Sequence, residues 1–494
     1  MFRRNNKADL VPEKKKAMDI MITWGLRKQM VTQVKIRKLK KQETDKPVML
    51  PMSLSEIVTG MYSQDTSHTL KVIEFLRRIL CREKELPVEM ILNEELFKRM
   101  ASFLSGVKFS LLYETAWAFT NIAAGTLSHA RMVVDSGAVP YFIRLLSSDS
   151  LCLIEQSVWA LGNIAGGGAD LRDLLLNHHI LKPLLRLVDM TAPPNFLCTV
   201  AWAISNLCRN KVPSVMMIVI KACLPALRTL IHHKDDAVVS HACWGLSCVT
   251  EGALNYTEEL VKYPDLMERL VELLDSRNVG VLTPTLQTIG NIMSENKSWI
   301  QIMMDCNLMD KLPALLQNFR LNIRKESCRI VSCITMGFFE QIKTVIDCNL
   351  IPLLLGVLKV GDIRSQIEAV RAIKNMSEDV LLQEVYCLVK NNVFRPLCEH
   401  LTTKNVRLLD LLLDTITNII EISGILGPPE SLFHILEETN AVDTIKQLQN
   451  HNNWIIRSKS HRIYEKFFSL SSDEESAPEN HNDDNQDRYS TDEY

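Results

Sequence analysis

Four tryptophans in the first half of the chain recur at intervals of 42 or 43 residues, and each stands four positions before an asparagine or a cysteine. The pairs are Trp117 with Asn121, Trp159 with Asn163, Trp202 with Asn206, and Trp244 with Cys248. An asparagine amide both donates and accepts hydrogen bonds, so a row of amides can hold the backbone of an extended peptide. Indole faces attract lysine and arginine by roughly 0.5 to 1 kcal/mol each when exposed. These residue types predict a binding site for an extended, basic peptide.

The opposite interpretation is that these tryptophans are core residues, which is the commoner role of a single tryptophan on a repeating helix. Against it, an asparagine is expensive to bury without partners. In addition, later copies carry Gln287, Arg329 and Arg371 at the tryptophan position. Because residues i and i+4 share one face of a helix, we expect each pair to lie on the exposed face of a groove.

The elements that must position these pairs are eight segments with a helical pattern. Their equivalent positions, 42 or 43 residues apart, are Asn121, Asn163, Asn206, Cys248, Asn291, Cys333, Asn375 and Asn418. A period of about 42 with apolar residues at helical spacing is typical of two- or three-helix armadillo or HEAT units. Prolines following the segments 137–139, 223–224 and 349–351 are predicted to open new helices.

The charge of the chain is distributed unevenly although its net value is only -2. Residues 1–41 contain 13 Lys and Arg against 3 acidic residues, and residues 471–494 contain 9 acidic residues against one Arg. The sequence therefore predicts four regions: a basic arm (1–46), a linker (47–68), a repeat solenoid (69–468) and a disordered acidic tail (469–494).

Several functional classes are excluded. No apolar run reaches the roughly 18 residues of a membrane helix, and the amino terminus does not resemble a secretory signal. The 13 cysteines have no framework spacing, which is typical of buried thiols. Gly166–Gly168 is predicted to be a loop between helices rather than a phosphate cradle, and no cysteine pair completes a zinc site. We expect no enzymatic activity, no metal and no cofactor.

The segments AWAFTNIAAGT, VWALGNIAGGG and AWAISNLCRNK are similar to the second, third and fourth armadillo repeats of the importin alpha (karyopherin alpha) family. The resemblance extends from about Ser53 to Phe468. It implies an all-α fold, a right-handed superhelical solenoid of about ten armadillo repeats, and the function of a nuclear import adaptor. The implied major site for nuclear localisation signals comprises Trp117, Asn121, Gly125, Gln156, Trp159, Asn163, Trp202, Asn206, Arg209 and Trp244, with Glu83 from the first repeat.

The chain departs from the family pattern in the third repeat and in the later repeats. In the third repeat Gly167 replaces an aspartate that takes the deepest lysine of the signal, Ala130 replaces a hydroxyl residue of the same pocket, and Asp170 is a candidate substitute. The family's minor site is degraded, with Gln287, Asn291, Arg329, Cys333, Arg371 and Asn375 at its positions. Glu326 and Glu368 lie three residues before Arg329 and Arg371, so we expect each arginine to pair with an acid on its own helix.

The basic arm follows the order of clusters in the family's importin-beta-binding segment. The resemblance assigns importin beta binding and self-inhibition of the groove to Lys14, Lys15, Lys16, Arg27, Lys28, Lys35, Arg37, Lys38, Lys40 and Lys41. Other implied partners are proteins with basic localisation signals, the export receptor (CAS) with Ran-GTP, and nuclear pore proteins as further candidates. Nucleic acid is not expected, because the arm lacks interleaved aromatic residues, and neither is a membrane.

Two functional hypotheses follow. The first is a nuclear import adaptor that shuttles between cytoplasm and nucleus and links cargo to importin beta. The second is an armadillo scaffold or regulator with weakened cargo binding, which holds a special partner or sequesters importin beta. The intact Trp/Asn row favours the first, whereas Gly167 and the altered later repeats favour the second.

Overall fold

The computed structural model describes residues 52–82, 93–209, 213–378, 388–426 and 430–468. Within these ranges every regular element is a helix. The basic arm, Glu83 and the acidic tail lie outside the described residues. The chain divides into two compact units, Met1–Asn291 and Ile292–Tyr494, and each is described by itself.

In the first unit the helices are α1 (Leu54–Met61), α2 (Thr66–Arg82), α3 (Glu94–Ser102), α4 (Phe109–Ala123), α5 (Leu127–Asp135), α6 (Val139–Leu145), α7 (Leu151–Gly167), α8 (Ala169–Asn177), α9 (Leu181–Leu185), α10 (Pro194–Leu207), α11 (Met217–Leu230), α12 (Asp236–Thr250), α13 (Leu254–Val261), α14 (Pro264–Glu272) and α15 (Val279–Glu295), which contains the boundary. Short 3-10 turns lie at Phe103–Ser105 and Leu273–Asp275.

In the second unit the helices are α16 (Lys297–Asp305), α17 (Leu308–Leu316), α18 (Leu321–Ile334), α19 (Phe339–Asp347), α20 (Ile351–Val360), α21 (Ile363–Asn375), α22 (Phe394–Glu399), α23 (Val406–Leu426), α24 (Glu430–Glu438), α25 (Ala441–Leu448) and α26 (Trp454–Phe467), with a 3-10 turn at His400–Thr402. No single helix among the described residues is long and apolar enough to cross a membrane.

Most repeats consist of two short helices followed by a longer third helix, as in α5, α6 and α7, whereas the single helix α11 takes the place of the two short helices before α12. The third helices pack against one another in sequence order: α2, α4, α7, α10 and α12 in the first unit, and α18, α21, α23 and α26 in the second. Their apolar residues are almost fully buried, as Phe119 on α4 and Leu161 on α7 illustrate. Burial of these stripes between neighbouring repeats supplies the main stabilisation, since a single repeat cannot bury its own apolar face.

The predicted helix breaks are confirmed at two of three positions. Gly137 has a positive φ of 77° and Asn349 one of 54°, and new helices begin shortly after both residues. Pro225, in contrast, lies inside α11 rather than at its start. Cys223, Leu224 and Leu227 are buried around it, and their packing holds the helix continuous although proline removes one backbone hydrogen bond.

Helical structure begins earlier than the predicted solenoid boundary at residue 69. The stretch 47–68, predicted to be a linker, contains α1 and the start of α2, which pack together. Ser53 and Glu56 form a capping box, in which the Ser53 hydroxyl accepts from the Glu56 N–H and Glu56 accepts from the Ser53 N–H at 2.7 Å. This S-x-x-E signature was available in the sequence and marks the start of the first helix among the described residues.

Candidate peptide-binding groove

The Trp/Asn pairs lie on the third helices, and the asparagine amides reach across to the preceding third helix. Asn163 Nδ2 donates to the Thr120 carbonyl at 3.1 Å, and Asn206 Nδ2 donates to the Gly162 carbonyl at 2.9 Å. A carbonyl can only accept, so these bonds fix which way each amide points. Each bond uses one of the two amide hydrogens of Asn163 or Asn206.

The same arrangement recurs in the later repeats. Asn291 Nδ2 donates to the Thr250 hydroxyl at 3.1 Å in the first unit. In the second unit Asn375 Nδ2 donates to the Ser332 carbonyl at 2.9 Å, and Asn418 Nδ2 donates to the Ser377 hydroxyl at 3.1 Å. The asparagine row is therefore a set of amides held in place before any ligand arrives, which lowers the entropy cost of binding.

The expectation that the whole row lies on an exposed face needs correction. The side chains of Trp117, Trp159, Trp202 and Trp244 are partly buried, and Asn206 is only 5% exposed. Packing between repeats explains this, because a Cβ atom at Gly162 would lie 2.4 Å from Cζ3 of Trp202. Burying the Asn206 amide is tolerated because the Gly162 carbonyl satisfies it. The rings form the walls of slots and do not stand free in solvent.

The ring of Trp117 already holds a guanidinium from its own chain. The Cζ atom of Arg77, on α2, lies 4.2 Å from the centroid of the Trp117 ring, and Arg77 also pairs with Glu114. Arg77 is only 7% exposed, so the cation is largely shielded from water. This contact shows that a cationic side chain stacks on one indole of the row. It also occupies one face of Trp117, which sequence reasoning missed because the partners are 40 positions apart.

Gln156, a predicted residue of the site, lies next to Tyr113, which in turn contacts Trp117. Gln156 is 9% exposed, and among the described residues no hydrogen-bond partner faces its Oε1 atom. Tyr113 stacks on Phe109 and meets Trp117 edge-on, each with ring centroids 5.8 Å apart. Burial raises the pKa of Tyr113, and a hydrogen bond from the Gln156 side chain to its hydroxyl partly offsets this. Gln156 Oε1 is therefore a buried acceptor that no donor among the described residues satisfies.

Among the remaining predicted residues, the backbone of Arg209 is held by hydrogen bonds that the sequence did not predict. Arg209 is buried, Gly125 lies two residues beyond the end of α4, and Trp244 lies on α12. Arg172, fully buried on α8, donates to the Arg209 carbonyl at 3.0 Å and to the Pro213 carbonyl at 2.8 Å. Arg172 thus holds the backbone at Arg209 and at Pro213, both of which follow α10 in the chain. A buried arginine gives no periodic signal, so the sequence could not reveal this role.

Two expectations for the third repeat are corrected. Gly166 and Gly167 are not in a loop, because α7 continues to Gly167. Gly166 has no side chain there, and Asn206 lies against it, with Nδ2 3.3 Å from where a Cβ atom would be. Asp170 does not replace the missing aspartate, because its carboxylate forms an ion pair with Arg131.

In the second unit the arginines that replace tryptophans pair with acids of their own helices, as predicted. Arg329 Nε and Lys325 Nζ each lie 2.8 Å from a carboxylate oxygen of Glu326, and Arg371 pairs with Glu368. Glu326 is 4% exposed. Burial alone would raise the pKa of Glu326, but the charges of Arg329 and Lys325 outweigh it and hold the pKa at about 2. Cys333 is buried, and burial raises the pKa of its thiol to about 11.

The depressed pKa of Glu326 predicts an acid-sensitive contribution to stability. A carboxyl whose pKa is lower in the folded state stabilises the fold above its unfolded pKa of about 4.3. That contribution, about 3 kcal/mol at most, is lost as the pH falls through the folded value of about 2. Chemical denaturation of wild type and Glu326→Gln measures the difference between their free energies of unfolding. This gap should narrow as the pH falls from 6 to 3. The exposed Glu340→Gln serves as control, and a gap independent of pH contradicts the prediction.

The stacking of the repeats identifies the class of protein. Three-helix units stacked through their third helices define an armadillo-repeat solenoid. The family model described as Armadillo/beta-catenin-like repeat matches residues 128–166, 168–209, 216–247 and 339–378. An engineered protein of known crystal structure matches with a TM-score of 0.73 at 22% identity, covering 84% of this chain and 98% of that one.

The relatives found by sequence show to which family of armadillo-repeat proteins the chain belongs. The chain is 32% identical over 448 residues to importin subunit alpha-3 of Arabidopsis thaliana, covering 89% of this chain and 84% of that protein. It is 33% identical over 436 residues to importin subunit alpha-1b of Oryza sativa subsp. japonica, covering 87% and 81%. The chain belongs to the importin subunit alpha family.

Proposed function

We propose that the protein is a nuclear import adaptor, which binds basic localisation signals in its groove and links them to importin beta through its basic arm. The observation that carries the groove assignment is the succession of three Trp/Asn pairs on α4, α7 and α10, with amides already oriented across the repeats. Membership of the importin alpha family supports the same function.

The binding mechanism divides the peptide between two sets of groups. The amides of Asn163 and Asn206 bond the peptide backbone, which every sequence shares, so they set its position and direction. The indoles of Trp159 and Trp202 stack on the stems of lysine or arginine and select basic residues. The Arg77 guanidinium on Trp117 supports this division, because it displays the same stacking within the chain.

The regions outside the described residues complete the proposal. Residues 1–46 form the importin-beta-binding arm, and the segment Lys35–Lys41 competes for the groove when importin beta is absent. Residues 469–494 form the acidic tail, and the last repeat contacts the export receptor (CAS) with Ran-GTP. Nuclear pore proteins are further candidate partners, and the protein shuttles between cytoplasm and nucleus.

A second candidate function is an armadillo scaffold or regulator that holds one special partner or sequesters importin beta. The observation in its favour is the ion-pairing of Arg329 and Arg371, which removes two acidic contacts from the later repeats. Affinity purification of bound proteins with and without residues 1–46 separates the two functions. An adaptor should capture many proteins with basic signals, whereas a scaffold should capture one partner regardless of the arm.

The second unit should add nothing to the binding of a two-part signal. A lysine within about 6 Å of Arg329 or Arg371 is repelled by about 0.7 to 3 kcal/mol instead of being stacked. The acids that could attract it, Glu326 and Glu368, are held by those arginines. We expect a two-part peptide and its downstream cluster alone to bind equally in calorimetric titrations of the protein without residues 1–46. A tenfold advantage that disappears in Asn375→Ala contradicts this expectation.

A further inference from the structure

The groove face of α7 continues beyond its tryptophan and asparagine. Trp159, Asn163 and Gly167 are spaced by four residues, so they lie along one face of the helix over two turns. An extended peptide held on the amides crosses this face, and its side chains alternate between two directions. Residues directed towards Trp159 stack on indole. Their neighbours point the opposite way, towards Gly167 at the end of the helix.

The surroundings of Gly167 are apolar. Beyond the adjacent residues and the backbone of α7 itself, the heavy atoms nearest to the position of a Cβ there are Leu171 Cδ1 at 2.8 Å, Leu127 Cδ1 at 3.6 Å and Ala130 Cβ at 3.8 Å. Ala130 and Leu171 are buried, whereas Leu127 is 47% exposed. Leu127 is held there as the first residue of α5, whose preceding Thr126 caps the helix. These four residues, Gly167, Leu171, Leu127 and Ala130, are called the Gly167 patch.

The charge next to the Gly167 patch is already neutralised. Asp170, one turn of chain beyond Gly167, forms an ion pair with Arg131, and both side chains are half exposed. A lysine ammonium placed on the patch would meet methyl groups and an engaged carboxylate, and Arg131 would repel it. Taking an ammonium out of water without a partner is unfavourable, whereas covering methyl groups with an aliphatic side chain is favourable.

We infer that the Gly167 patch receives an uncharged aliphatic side chain of the bound peptide. This inference rests on the proposed function and names its substrate class: basic segments in which one aliphatic residue, such as leucine or methionine, stands between the residues stacked on the tryptophans. The tryptophans accept lysine at every stacked position. The patch adds specificity because it selects an aliphatic residue between those positions. The occupant is the same peptide whose backbone, in the proposed function, binds the neighbouring Asn163 amide.

Norleucine is the sharpest probe, because it has the stem of lysine without the ammonium. The full chain is titrated calorimetrically with a basic peptide of consecutive lysines flanked by alanines, and with derivatives in which each lysine in turn becomes norleucine. Wild type should bind at least one derivative about threefold more tightly than the parent. Ratios between paired peptides cancel any competition from the basic arm, which affects both alike.

Two variants place a carboxylate on the patch and should reverse the preference. The Cβ atom of Gly167→Asp requires the flexible end of Leu171 to move, and Leu127→Glu adds an acid at a helix start, where negative charge is favourable. Each should bind the parent peptide more tightly than wild type does, and should bind the formerly preferred derivative about tenfold less tightly than the parent. Leu151→Asp, which adds the same charge at the other end of α7, should leave the preference unchanged. Circular dichroism verifies folding, and Leu127→Glu decides if Gly167→Asp does not fold.

Two results would overturn the inference while leaving the proposed function intact. In one, the parent binds and every norleucine derivative loses about tenfold in wild type, so that lysine is required at each position. In the other, a preferred derivative keeps its advantage in both acidic variants, so that the tolerant position lies elsewhere. If neither the parent nor any derivative binds, the proposed function itself is wrong, and the inference falls with it.

Discussion

Replacing Trp159 and Trp202 together by alanine should weaken the binding of a single-cluster basic peptide at least tenfold, about 1.4 kcal/mol. Both rings form slot walls between repeats, and each stacked cation contributes more where water is partly excluded than at an open surface. Trp117 is the less informative target, since Arg77 already covers one of its faces. Isothermal titration calorimetry with the same peptide measures the loss directly.

The matched control for this double variant is Trp454→Ala. Trp454 lies on α26 in the second unit and is 68% exposed, so its removal tests loss of a tryptophan outside the row. Thermal unfolding of both variants is needed, because the Trp202 ring packs over Gly162 and contributes to the contact between repeats. Unchanged affinity in a folded double variant removes the groove assignment. A loss that the control shares points to a general effect on the fold.

The sequence predicted the architecture well because the repeat is a periodic signal. The spacing of the Asn positions located the third helices, and the position of Glu326 relative to Arg329 located an ion pair on one helix, since both depend only on distance along the chain. Contacts between repeats were harder to predict. Arg77 on Trp117 and Arg172 on the Arg209 carbonyl join positions about 40 residues apart, and no local pattern marks them.

Errors in the sequence prediction share a cause, which is tertiary packing that overrides a local rule. Pro225 remains inside α11 and Gly167 inside α7 because buried neighbours stabilise those helices against residues that normally end them. Asn206 is buried although amides favour water, because the carbonyl of Gly162 satisfies it. Asp170 was the closest acid in sequence to Gly167, yet its side chain pairs with Arg131. The partner of a side chain therefore depends on the tertiary structure and not on distance along the chain.

Removal of residues 1–46 should abolish importin beta binding and strengthen the binding of basic peptides. Residues 1–41 alone carry a net charge of +10, so they hold the cations that an acidic partner would bind and also those that the Trp/Asn row would accept. A tethered segment competes at the high effective concentration of an intramolecular ligand, and its loss should raise peptide affinity several-fold.

The matched test of this competition keeps the arm and replaces Lys35, Arg37, Lys38, Lys40 and Lys41 by alanine. If this cluster is the competitor, the variant should bind basic peptides as tightly as the truncated chain, because no other stretch of seven residues in the arm holds five Lys or Arg. Titration of wild type, cluster variant and truncated chain with one peptide compares them directly, and a pull-down on immobilised importin beta follows the other activity. Equal peptide affinity in all three proteins would show that the groove does not hold its own arm. Persistent importin beta binding by the truncated chain would place that interface on the repeats. The two readouts report different interactions: the titration follows competition for the groove, and the pull-down follows the interface with importin beta.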